Sequence, residues 1–169
     1  GARLVSARDG IDCDRYDPFC DHLLVKDKQT GEVVGTYRML TPEKAQEAGG
    51  LYSQSEFDLS RLAHILPNTV EVGRSCVHPD YRTGATIGLL WNGLANYMMQ
   101  RGYGYLLGCA SMSMADGGHN AANVYQSVKE KYLGPAEWRV FPNCPLPVAS
   151  LQNDLPPDVP TLIKGYLRV

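Results

Sequence analysis

The stretch Glu71-Val72-Gly73-Arg74-Ser75-Cys76-Val77-His78-Pro79-Asp80-Tyr81-Arg82-Thr83-Gly84-Ala85-Thr86-Ile87-Gly88-Leu89-Leu90-Trp91 decides how the rest of this 169-residue chain is read. Val70, Val72, Cys76 and Val77 suit a pleated, buried segment. Pro79 has no ladder donor and biases His78 towards extended geometry, so a strand over 70–77 ends there. Thr83-Gly84-Ala85-Thr86 supplies a hydroxyl-rich turn. After it, Ile87, Leu90, Trp91, Leu94 and Met98 recur at helical intervals. The unpaired amides at the start of such a helix carry its positive dipole end, which suits a phosphate. Glu71 and Arg74 set a charged pair inside the apolar strand just upstream. Together these features predict a phosphate-bearing donor beside a strand that also carries acid–base chemistry.

On a regular strand Glu71 and Arg74 point to opposite faces. Gly73 between them is a natural place for a bulge, which re-aims one of the two and frees a backbone N–H near Ser75, Cys76 or Val77 for a developing oxyanion. Downstream, Arg101-Gly102 closes the long helix. The nearly continuous apolar run Tyr103–Ser111 reads as a strand buried on both faces, parallel to the first across the helix. Met112–His119 is a glycine-rich loop in the position of a lid, and Asn120–Tyr132 is a second amphipathic helix. Glu137–Phe141 reads as a short strand. Six of the eleven prolines then fall between Pro142 and Pro160, so that stretch is irregular.

Upstream, His22–Lys26 and Glu32–Leu40 read as strands of a hairpin, with Gly31 free to take positive φ. Arg38 in that apolar strand needs an acid, and Asp17, Asp21 and Glu71 are the candidates. Thr41-Pro42-Glu43 starts a helix that Gly49-Gly50 ends. Leu51–Leu59 reads as loop and short strand, and Ser60–Leu66 as a helix stopped by Pro67. Asp9-Gly10 is a turn signal. The acidic series Asp12, Asp14, Asp17 and Asp21 lacks the glycine and terminal Glu of a calcium loop, so no metal is expected.

Composition narrows the class. A net charge of -2 leaves no electrostatic footprint for nucleic acid, and no apolar run is long enough to span a bilayer. Cys13, Cys20, Cys76, Cys109 and Cys144 are odd in number and lack CxxC spacing, which fits reduced thiols of a cytoplasmic chain. No Gly-x-Ser-x-Gly elbow accompanies the four histidines, which sets aside Ser-His-Asp hydrolysis.

Val77-His78-Pro79-Asp80-Tyr81-Arg82, with its glycine turn and helix, resembles the central motif of the GNAT acyltransferase superfamily. Glu71–Ser75 with Tyr81–Trp91, Tyr16–Val25 and Gly35–Leu40 resemble more closely the ornithine N-acyltransferase and N-acyl amino acid synthase family, related to acyl-homoserine lactone synthases. The resemblance implies an α/β fold: one GNAT-like domain over 1–169, short of terminal segments, with a mixed, splayed sheet between helices. The acyl-pantetheine would pass where strands 70–77 and 103–111 part.

It further implies transfer of a long-chain, 3-hydroxylated acyl group from acyl carrier protein to the α-amine of an amino acid such as ornithine. No resident cofactor is needed; acyl-phosphopantetheine is the donor, with acyl-coenzyme A as a further option. In that reading Glu71 and Arg74 are catalytic, and Ser75, Cys76, Val77, Arg82, Thr83, Gly84, Ala85 and Thr86 hold the donor. Asp17, Asp21, Arg38 and Ser111 meet the acceptor. Arg82 or Arg101 would contact the carrier's acidic helix, and the lipid-like product leaves room for peripheral contact with the inner face of the membrane. Ile87 stands at the last small position of the common loop pattern, and a single phosphopantetheine phosphate demands less of that position than a pyrophosphate. A coenzyme A-dependent acetyltransferase of a small amine and a catalytically silent carrier-binding module are the alternatives.

Overall fold

The computed structural model describes residues 7–8 and 11–168, with backbone alone at 7, 8 and 11; the expected Asp9-Gly10 turn lies outside these residues. A four-stranded mixed sheet organises the fold: β1 (Asp21–Lys26), β2 (Val33–Leu40), β3 (Thr69–Val77) and β4 (Tyr105–Leu107) lie in that order. β1–β2 and β2–β3 are antiparallel, and β3–β4 is parallel. The β1–β2 turn is closed by Asp27, whose Oδ1 accepts the Gln29 and Thr30 N–H groups at 2.7 and 3.0 Å. The helices expected from Thr41-Pro42-Glu43 to Gly49, from the glycine turn to Arg101, and over Asn120–Tyr132 form as α1 (Pro42–Glu47), α2 (Ala85–Arg101) and α3 (His119–Tyr132).

Strand alternation sorts the sheet into two faces. His22 lies opposite Arg38, and Thr36 opposite Cys76, so these share one face. Leu23, Met39, Val70 and Val72 take the other, where Leu94 and Met98 of α2 pack on them. The helix approaches closely because β2 carries no side chain at Gly35: a Cβ there would lie 2.8 Å from Thr86 Cγ2 and 3.4 Å from Leu90 Cδ1. α2 thus buries Thr86, Leu90, Leu94 and Met98, a row one helical turn apart. On the opposite face a short helix, Ser53–Glu56, begins against β3.

The helix Ser53–Glu56 lies in what was expected as a loop, and three further expectations need correction. The strand expected over Tyr103–Ser111 is only Tyr105–Leu107, at the sheet edge, with Tyr105 37% and Leu106 43% exposed. Its ladder to β3 pairs Thr69 with Tyr105, Val70 with Leu106 and Glu71 with Leu107, then ends while β3 runs on to Val77. An apolar run was long enough for a strand, but strand length is set by the partner it can reach. The helix expected over Ser60–Leu66 is instead two single 3-10 turns, Ser60–Leu62 and Leu66–Asn68, the second holding Pro67 near its start. The short strand expected over Glu137–Phe141 is a 3-10 turn at Ala136–Trp138, followed by Phe141–Pro142 pairing with Phe57–Asp58.

The described chain gathers into two compact units: residues 7–8 and 11–55 with 63–109, holding the four-stranded sheet and α2, and residues 56–62 with 110–168, holding α3 and the proline-rich segment. In the second unit asparagines secure that segment. Asn123 donates to Asn153 Oδ1 at 2.7 Å and Leu155 O at 2.9 Å, and Asn120 accepts from Asp158 N at 2.8 Å. Among the described residues no helix is long and apolar enough to cross a membrane.

Candidate active site

β3 carries the expected irregularity one residue later than Gly73. Gly35 pairs with Val77 and Thr36 with Cys76, but Arg38 pairs with Gly73 and Met39 with Val72, so Arg74 and Ser75 together oppose Tyr37. Arg74 has φ +50, the sole positive φ outside glycine among the described residues. That conformation costs an L-residue about 1–2 kcal/mol. The extra residue bends the ladder and brings Arg74 to the face that carries Thr36 and Arg38.

On that face lies a cleft of about 510 Å³. It is lined by His22, Thr36 and Arg38 from β1 and β2, by Arg74, Ser75 and Cys76 from β3, and by Asp12, Cys13 and Asp17. Its volume suits a small ligand. Arg38, only 8% exposed, is held by two carboxylates: Nη1 donates to both Asp14 oxygens at 2.8 Å and to Asp17 Oδ1 at 2.7 Å. Arg74 pairs with Asp12 Oδ1 and reaches Asp14 Oδ2 at 3.8 Å, so Asp14 bridges the two guanidiniums. The Asp14 N–H donates to Asp17 Oδ2 at 2.6 Å, and the Tyr16 N–H to Asp14 Oδ1 at 2.8 Å. Burial pushes the Asp17 carboxyl up, but the Asp14 N–H and the Arg38 guanidinium outweigh it and hold that carboxyl below the usual range. Burial likewise works against the Arg38 charge and is outweighed by Asp14 and Asp17. Nearby, burial pushes the Cys20 thiol up to about 11, which keeps it protonated and a poor nucleophile.

Glu71 is not in that ion cluster. It is 6% exposed, and its carboxylate accepts the Tyr52 N–H at Oε2 (2.8 Å) and the Ser53 N–H at Oε1 (2.6 Å). It caps the amides that open the Ser53–Glu56 helix, a favourable place for a negative charge. Glu71 also stands at the last rung shared by β3 and β4, where the two strands part. The acids that answer Arg38 are therefore Asp14 and Asp17, and the expected pairings with Glu71 or Asp21 do not form. Asp21 lies opposite Met39, hence on the α2 face, where it accepts the Tyr97 hydroxyl at 2.7 Å and meets Arg101 at 3.4 Å.

The turn from β3 into α2 holds the expected donor residues in differing states. His78 Nδ1 accepts the Asp80 N–H at 3.3 Å, and Arg82 Nε donates to Val77 O at 3.0 Å. Gly84 begins α2 at φ +90, with open space where a Cβ would stand. Thr83 and Ala85 are exposed, and α2 begins beside them, so the unpaired amides of its first turn belong to this turn. Thr86 is buried against Gly35 and packs the helix instead of offering its hydroxyl. Val77 pairs with Gly35, and Ser75 and Cys76 line the cleft. Ser111 is exposed in the second unit. Sequence reading passed over Asp14, His22 and the Tyr52–Ser53 amides. Only the acidic spacing Asp12–Asp14–Asp17 hinted at the first.

Comparison with known proteins adds the following. The acetyltransferase (GNAT) domain model matches residues 1–92. The L-ornithine N(alpha)-acyltransferase of Brucella abortus is 35% identical over 194 residues, covering 100% of this chain and 66% of that protein. Its namesake in Agrobacterium fabrum is 37% identical over 177 residues, covering 94% of this chain and 59% of that protein. In Rhizobium meliloti the same name is borne by a protein 34% identical over 177 residues, with 94% and 58% covered. The chain thus spans 58% to 66% of the length of these curated relatives. No solved structure matches.

Proposed function

Because the chain belongs to the acetyltransferase (GNAT) family, we propose that it is an N-acyltransferase that moves a long-chain, 3-hydroxylated acyl group from acyl carrier protein to the α-amine of an amino acid, with ornithine as acceptor. The observation that carries this is the bulged β3 strand. It brings Arg74 into the lining of a cleft that holds both cationic and anionic side chains, while the ladder to β4 ends at Glu71. A zwitterion needs both signs of charge close together. Arg74, with its side chain 31% exposed, can receive the acceptor carboxylate, and Asp17 can hold an ammonium group. The relatives are named for ornithine, whose two amines and one carboxylate suit a cleft that holds both charges.

In this reading the donor phosphate meets the amides at Thr83–Ala85, and the pantetheine runs along the open edge of β3 towards the bulge. The acceptor amine gives its proton to Glu71, directly or through water, and attacks the thioester carbonyl. The C–N bond forms and the C–S bond breaks. A backbone N–H of the bulge steadies the oxyanion, and the pantetheine thiolate leaves and takes up a proton. Incubation with a 3-hydroxyacyl carrier thioester and ornithine, followed by mass spectrometry, should yield the N-acyl-ornithine amide. Acetyl-coenzyme A at matched concentration should serve more poorly, since Ile87 stands where a pyrophosphate loop favours a small residue. Equal or faster turnover with acetyl-coenzyme A would instead establish a small-amine acetyltransferase, and release of free acid alone would exclude amide synthesis.

A further inference from the structure

Tyr81 lies in the middle of the turn that joins β3 to α2, and the catalytic reading assigns it nothing. Its hydroxyl donates to Asp27 Oδ2 at 2.8 Å, across 54 residues of chain. Asp27 is the same residue whose other oxygen closes the β1–β2 turn through Gln29 and Thr30. One carboxylate therefore serves the hairpin with one oxygen and the β3–α2 turn with the other. The Tyr81 ring is fixed as well, edge-on to His78 at 5.7 Å between centroids. The turn is anchored at its start by the His78 N–H on Val34 O at 2.9 Å, and at its end by Thr86 packed on Gly35. Between these anchors, Arg82 Nε reaches back only to Val77 O, within the turn itself. Among the described residues, the Tyr81–Asp27 bond is the side-chain tie from the middle of the turn to another element. It is two residues from Thr83 and three from Gly84.

We propose that Asp27 and Tyr81 are positioning residues for the acyl donor: their hydrogen bond holds the Thr83–Ala85 amides in the geometry that receives the donor's phosphate. Donor binding to a pre-set turn avoids the ordering cost that a loose turn imposes. The Asp27 carboxyl is held below the usual range by the Thr30 N–H, then by Tyr81 and Gln29, and the Tyr81 hydroxyl is pushed up by Asp27. Near neutral pH the pair accordingly stays as a carboxylate and a protonated phenol, the form that makes the bond. The inference rests on the reading that the donor phosphate meets this turn.

The test compares two donors on Tyr81→Phe, which removes one oxygen and leaves the ring against His78. One donor is the 3-hydroxyacyl thioester of phosphopantetheine. The other is the same acyl thioester of N-acetylcysteamine, which has no phosphate. Losing one hydrogen bond that acts through the turn should raise KM for the phosphate-bearing donor about 3- to 10-fold, with kcat and the KM of the phosphate-free donor held within about twofold. Asp27→Asn, which offers the Tyr81 hydroxyl a neutral amide in place of the carboxylate, should raise the same KM by a smaller factor, and the double variant should be no worse than Tyr81→Phe alone. It also supplies the answer if Tyr81→Phe does not fold. An equal rise for both donors would reduce the pair to a structural staple, and no rise, or effects that simply add, would equally overturn the proposal. If the parent protein itself does not distinguish the two donors, the phosphate is not read at this turn, and the site reading fails along with the clamp.

Discussion

Glu71 holds a backbone N–H on each carboxylate oxygen, so its charge is compensated by two amides instead of an arginine. Glu71→Gln replaces one of those oxygens with an NH2 group that faces a donor. That mismatch should cost about 1–3 kcal/mol of stability. If Glu71 also takes the amine proton, turnover should fall about 100- to 10,000-fold, with donor KM little changed. The loss should shrink as pH rises and more acceptor arrives deprotonated. The pH–rate profile read beside the melting curve checks both. A folded variant that turns over like the parent would leave Glu71 as a helix cap and nothing more. Asp17 offers a pH test of the ion cluster. Its carboxyl lies below its ordinary value in the folded chain, so the stability it contributes is present above the unfolded value and lost as pH falls through the folded one. The melting gap between the parent and Asp17→Asn should therefore be full at neutral pH and close below about pH 4. A gap unchanged into strong acid would contradict the pairing with Arg38.

At the level of elements, α2 is placed by a missing side chain. Gly35 admits Thr86 Cγ2 to 2.8 Å of where a Cβ would stand, so Gly35→Ala must push the first turn of the helix off the sheet. Overpacking of this kind costs about 1–3 kcal/mol. Thr86→Ser removes the offending methyl, and the double variant should regain much of the loss in a thermal melt. Strictly additive losses would mean that the contact does not set the helix. The helix, its glycine start and stop, and the β1–β2 hairpin were legible because their signals are local: apolar spacing, Gly84, Gly102 and the Asp27–Gly31 turn. The extent of β4 was not, because Tyr103–Ser111 is nearly continuously apolar and the ladder to β3 ends at Glu71. The turns around Pro67 failed for a related reason, since helical patterning over seven residues cannot tell one α-turn from two 3-10 turns.

Across the whole molecule, the site is made by contacts distant in sequence, and there the reading of residues ran out. Arg38 demanded an acid, but nothing local could choose Asp14, 24 residues away, over Asp21, which alternation turns to the opposite face. The bulge expected at Gly73 gives its positive φ to Arg74, whose guanidinium meets Asp12 and Asp14. That makes Arg74→Gly informative. Glycine accepts the positive φ, and a half-exposed ion pair is worth about 0–1 kcal/mol, so the variant should fold at least as well as the parent. The decisive measurement is kcat/KM for amide formation from a 3-hydroxyacyl carrier thioester, with ornithine and with 1,4-diaminobutane, its analogue without the carboxylate, on parent and Arg74→Gly. The expected result is a strong preference of the parent for ornithine that collapses in the variant, with the diamine rate unchanged. A parent that acylates both amines equally well, or a variant that keeps the full preference, would contradict the assignment of this cleft to an amino-acid acceptor.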